Sequence, residues 1–225
     1  MSLDIKKIKQ VPLPETQYIK EVTEKNQIVL HHTAGNSSAP GTIKMWANDD
    51  RGRIATCIVI SGKGTSKDTY DGEICQAFSS KHWGYHLGLK QDIFRAKGVP
   101  YKALDKHAIA IEICNWGPLD KVGDKFYNYV DREVAADQVT ELQTPYKGHR
   151  YYHRYTDAQI ESVKNLLMYW RDNYSIDLTY REDDMWTIST RALKGEPGVY
   201  THNSYRKDKL DIYPCPRMIA MLKSL

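Results

Sequence analysis

The run Ile28-Val29-Leu30 ends abruptly in His31-His32 and is followed by Thr33-Ala34-Gly35. This feature most narrows what the chain can fold into. A short hydrophobic strand that stops in imidazoles at a glycine-marked turn belongs to a sheet, and it delivers a metal-capable side chain to the end of that sheet. Near the C-terminus stand Val199-Tyr200-Thr201-His202, then Lys209-Leu210-Asp211, then Pro214-Cys215-Pro216. Two distant histidines with one carboxylate or thiolate suit a three-ligand zinc site that keeps one position open. From the residues alone the third ligand is either Asp211 or Cys215.

The rest of the pattern predicts an α/β fold with a mixed central β-sheet flanked by helices and the zinc site at one end of the sheet. Strands are expected over Ile28–His32, Ile54–Ser61 and Glu73–Phe78. The clearest is Ala108–Asn115, where Ile109, Ile111 and Ile113 share one face and Ala110, Glu112 and Cys114 the other. A carboxylate centred on a face of small residues is unlike a solvated edge. Its alternative reading is a structural partner for a buried cation. Ser37-Ser38-Ala39-Pro40 opens a short helix, and Thr156-Asp157-Ala158-Gln159 is a capping box for a longer one ending near Asn173. A last helix starts at Pro216.

A chain of 225 residues can bury a sizeable core, and one domain over 1–225 is expected. Residues 116–155 are polar and tyrosine-rich, and they read as an irregular insertion packed beside the cleft. His149 and His153 within it read as surface residues. The formal net charge of +4 is modest and spread, which suits an anionic polymer and gives no reason to expect nucleic acid. No apolar run reaches the ~18 residues of a membrane span, so no membrane partner is expected. Residues 1–9 hold no apolar core of a secretory leader. The four cysteines show no CxxC pairing, and three of them, in or beside apolar runs, read as buried free thiols. Sixteen tyrosines and five tryptophans against three phenylalanines fit a cleft for sugars or peptides.

The tracts IVLHHTAG, AIAIEI and THNSYRKDKLDIYPCP together resemble the N-acetylmuramoyl-L-alanine amidases, a family similar in fold to the peptidoglycan recognition proteins. The resemblance covers most of 27–115 and 156–225 and leaves out 116–155. It implies one zinc ion per chain and hydrolysis of the amide between N-acetylmuramic acid and L-alanine in peptidoglycan. By position it implies His31 rather than His32 as a zinc ligand, with His202 as the second. Lys209-Leu210-Asp211 fits the family's Lys-x-(Cys or Asp) pattern, so Asp211 is favoured over Cys215, whose −2 position is Tyr213. Glu112 matches the glutamate of the family's strand and would be the general base. Lys209 would steady the developing oxyanion.

The family's Trp-His-Ala-Gly loop is echoed by Tyr85-His86-Leu87-Gly88 with Trp83 nearby, which implies that His86 and Trp83 bind substrate. Where some members carry a catalytic Tyr or Glu in the second strand, this chain has Thr56-Cys57. The implied partner is peptidoglycan, both glycan strand and stem peptide, and the protein is expected to be a monomer. A phage or prophage lysin, made in the bacterial cytoplasm and acting on the wall, is the expected role. The alternative is a non-catalytic peptidoglycan-recognition module.

Overall fold

A computed structural model describes residues 8–35, 38–64 and 69–225; Ser37, expected to open the first helix, lies outside them. In chain order the first five strands are β1 (Lys9–Gln10), β2 (Gln27–His32), β3 (Ile58–Ile60), β4 (Ile74–Gln76) and β5 (Ala108–Ile113). Five more follow within the tyrosine-rich segment: β6 (Pro118–Val122), β7 (Lys125–Tyr127), β8 (Glu133–Val134), β9 (Val139–Tyr146) and β10 (His149–His153). The last is β11 (Gly198–Thr201).

Six strands form the main sheet in the order β1-β4-β3-β5-β2-β11. The sheet is mixed: β3 and β4 are antiparallel, and the other neighbours run parallel. Alternation decides which side chains go where. Ile28 and Leu30 of β2, with Ile109, Ile111 and Ile113 of β5, enter one core. That core is closed by α1 (Ala39–Ala47), α3 (Asp157–Tyr174) and α6 (Pro216–Lys223). Val29 and Ala108 face a second core with Leu87, Leu104, Tyr200, Phe94 of α2 (Gln91–Ala96) and Leu193 of α5 (Thr190–Lys194). A short α4 (Glu182–Met185) precedes α5. Each fully buried Leu or Ile contributes roughly 1.5–3 kcal/mol.

The helix signals act as their residues predict. Ser38 Oγ accepts the Gly41 N–H at the start of α1. Thr156 and Gln159 cap α3 reciprocally, and Ile160, Val163, Leu166, Leu167 and Trp170 form its buried face. All four cysteines are free and buried.

The structure corrects the reading of 116–155 as irregular. Its strands make a second, antiparallel sheet in the order β8-β7-β6-β10-β9. Only scattered residues of this sheet are buried, among them Leu119, Val134, Leu142 and Tyr152. Its polar, exposed strands therefore carry little of the hydrophobic alternation that marks a strand in sequence. His153, expected on the surface, is buried at the end of β10, whereas His149 is half-buried. Among the described residues no helix is long and apolar enough to cross a membrane.

Candidate active site

Parallel pairing of β11, β2 and β5 builds the site. Thr201 lies opposite Leu30, and His31 lies opposite Glu112. His202, one residue beyond β11, therefore emerges beside His31, and Glu112 flanks His31 on its other side. All three leave the same end of the sheet, where strand C-termini open into a cleft.

The chain then returns through 203–210 to bring Asp211 over the two rings. His31 Nδ1 and His202 Nδ1 are 3.1 Å apart, and Asp211 Oδ2 lies 2.9 Å from the first and 3.0 Å from the second. Cys215 stands apart from this triangle, buried in the main core.

The outer nitrogens of both rings are also engaged. His202 Nε2 is 3.1 Å from the Leu87 carbonyl, which can only accept, so Nε2 carries the proton. Burial lowers the His202 pKa against the opposing effect of Asp211 and so favours the neutral ring. Its Nδ1 lone pair then faces a carboxylate oxygen, a contact that is repulsive unless a cation lies between. A tetrahedral ion with ~2.0–2.1 Å bonds places its ligand atoms about 3.3 Å apart, close to the spacing here. The donor set fits zinc.

His31 Nε2 is 3.0 Å from His86 Nδ1. The His86 side chain is turned inward, and its backbone N–H and that of Leu87 both donate to Asp105 Oδ1, at 2.8 and 2.9 Å. His86 thus lines the cleft while orienting the His31 ring. Trp83 is buried behind the cleft lining, where its Nε1–H donates to Glu21 and Tyr85 packs edge-on against it. Tyr85 itself is half exposed and lines the cleft.

The cleft has a volume of about 410 Å³. Glu112 and Lys209 line it with the three ligand candidates, and Trp46 and Ile54 add an apolar wall. Burial pushes the Glu112 carboxyl well above the ordinary range, Asp211 adds to the shift and Lys209 opposes it. Its Oε2 is buried with no hydrogen-bond partner among the described residues. Thr56 and Cys57 supply no proton handler. The Thr56 hydroxyl donates to Ile58 O, and burial pushes the Cys57 thiol up to about 12.

His32 points to the opposite side of the sheet, where Nδ1 lies 2.9 Å from the Tyr155 hydroxyl. Sequence reasoning missed Tyr85, Asp105 and Asn203. The last adjoins His202 and donates to the carbonyls of Asp211 and Ile212, at 3.0 and 2.7 Å.

Comparison with known proteins agrees with this architecture. No curated protein sequence matches the chain. Among solved structures, PlyL superposes with a TM-score of 0.53 at 11% identity, covering 96% of each chain. A mutant endolysin from Bacillus subtilis gives 0.52 at 15% identity over 100% of this chain and 98% of its own. An AmpD derivative gives 0.50 at 14% identity over 99% of each. At these identities the likeness is one of fold. The family model for N-acetylmuramoyl-L-alanine amidase matches residues 22–216 and runs through the tyrosine-rich segment as well. The chain therefore belongs to the N-acetylmuramoyl-L-alanine amidase family, and its activity is that of a peptidoglycan amidase.

Proposed function

We propose that the protein is a zinc-dependent enzyme that cleaves the amide between N-acetylmuramic acid and the first L-alanine of the stem peptide, with His31, His202 and Asp211 as the zinc ligands. The observation that carries this is the triangle of three donor atoms 2.9–3.1 Å apart, with the outer His202 nitrogen committed to a carbonyl. Bound there, one zinc ion would polarise the scissile carbonyl and make water a nucleophile near neutral pH.

Glu112 takes the proton of the attacking water on its unpartnered Oε2 and returns it to the leaving alanine amine. Lys209, on the cleft wall, stabilises the charge that develops on the carbonyl oxygen. His86 holds the His31 ring so that Nδ1 would be free for a metal. Tyr85, backed by Trp83, offers an aromatic surface to glycan or peptide. Thr56 and Cys57 leave proton transfer to Glu112. A lysin acting as a monomer on the intact wall is the role this reading favours. In it, 116–155 is an insertion within one domain that serves wall recognition.

The test combines metal analysis with a sacculus assay of wild type, Asp211→Ala and Cys215→Ala. About one zinc per chain, lost in Asp211→Ala and kept in Cys215→Ala, with release of L-alanine amino termini and no reducing sugar, supports the reading. Zinc lost only in Cys215→Ala moves the third ligand to the thiolate. Binding of sacculi with neither zinc nor cleavage replaces the enzyme with a recognition module.

A further inference from the structure

The turn between β9 and β10 reaches the loop that carries Lys209 and Asp211. Lys147 occupies this turn with a left-handed backbone, φ +48°, followed by Gly148 at φ +88°. Its Nζ donates to Asn203 Oδ1 at 2.5 Å, to Lys207 O at 3.1 Å and to Lys209 O. Asn203 in turn donates through Nδ2 to the carbonyls of Asp211 and Ile212. One ammonium thus ties both ends of the 203–212 loop to each other and to the second sheet. Within the segment itself, the backbone contact from Lys209 N–H to Arg206 O is long, 3.5 Å.

We infer that Lys147 is a positioning residue: it clamps the 207–211 segment so that the Asp211 carboxylate meets His31 and His202 and the Lys209 ammonium faces the cleft. The second sheet is then part of the catalytic apparatus as well as a wall beside it. The three donors of an ammonium match the three oxygens it meets. The inference rests on the assignment of Asp211 as ligand and Lys209 as oxyanion stabiliser given above.

The experiment compares full-length wild type, Lys147→Met and Lys147→Arg. Zinc affinity is measured by competition with a chromophoric chelator, and ligand geometry by the visible spectrum of the Co²⁺-loaded protein. Tryptic cleavage after Lys207 and Lys209 is mapped by mass spectrometry. Lys147→Met is expected to bind zinc about tenfold more weakly, the lower end of what loss of a supporting contact costs a metal site. Its Co²⁺ spectrum shifts, and cleavage accelerates at Lys207 and Lys209 but not at Lys164 or Arg171 within α3. Lys147→Arg restores part of each.

Wild-type affinity, spectrum and protease resistance in Lys147→Met would overturn the inference. So would general susceptibility that includes α3, which makes Lys147 a residue of overall stability. If wild type binds neither zinc nor Co²⁺, the metal reading fails. The tryptic comparison of the metal-free proteins then still decides whether the clamp exists.

Discussion

His31 and His86 meet edge to face, with Nε2 of the first 3.0 Å from Nδ1 of the second and the ring planes 85° apart. A hydrogen bond at this distance requires one proton between the two nitrogens. With Nδ1 of His31 turned to Asp211 and His202, the arrangement that leaves this atom free for a metal has His31 donating and His86 accepting. His86→Ala removes the acceptor and frees the ring to rotate. Zinc affinity is expected to fall about 10–100-fold, the range for partners behind a ligand, with the fold retained. Chelator competition and far-UV circular dichroism would check both halves.

Glu112→Gln is expected to cut turnover on sacculi about 10²–10⁴-fold, the usual contribution of a general base. Zinc content should remain near one per chain. The thermal midpoint should not fall, because an isosteric amide replaces a buried carboxyl that finds no partner for Oε2. A variant that loses zinc along with activity would instead mark Glu112 as part of the metal's support.

His153 gives stability a pH dependence of known sign. Burial lowers its pKa to about 4, with His32 contributing. Its Nδ1 accepts the Trp116 N–H at 3.3 Å, so the neutral ring is the one the fold holds. Between pH 6.5 and 4 the unfolded chain binds a proton that the native chain does not, so this contribution to stability is lost as pH falls through that window. At about 1.4 kcal/mol per pKa unit the loss reaches at most a few kcal/mol. Urea unfolding at pH 7.5 and pH 5 should show a smaller difference between the two pH values in His153→Gln than in wild type.

Thr156→Ala removes the hydroxyl that accepts the Gln159 N–H and donates to Asp71 Oδ1 at 2.8 Å. A destabilisation of about 1–2 kcal/mol is expected for a cap with a second partner. Zinc content should be unaffected, because α3 packs in the main core and none of its residues lines the cleft. Denaturant titration and elemental analysis of the same sample would read both.

Chelation should lower the thermal midpoint of wild type and leave that of Asp211→Ala unchanged, since only the folded protein presents the three donors together. Differential scanning calorimetry with and without chelator measures the difference.

The sequence alone determined the elements whose signals are local. The runs Ile28–His32 and Ala108–Asn115 announce strands, Val199–Thr201 announces the strand that leads to His202, and the Thr156–Gln159 box starts α3. It also supplied the set of chemical groups, because His31 and His202 each stand at the end of such a run and Glu112 lies on the small-residue face of another.

Tertiary structure decided how those groups meet. Parallel register sets His31 opposite Glu112 and brings His202 alongside. Spacing along the chain cannot choose between Asp211 and Cys215, since the choice depends on how the 203–212 loop folds back and what holds it there. His86 is hydrogen-bonded to His31, and Trp83 packs edge-on behind Tyr85. Both are orientations that a loop's composition does not encode. The sheet of 118–153 stayed hidden for a different reason: strands exposed along much of their length need little apolar alternation, and it is that alternation which makes a strand visible in sequence.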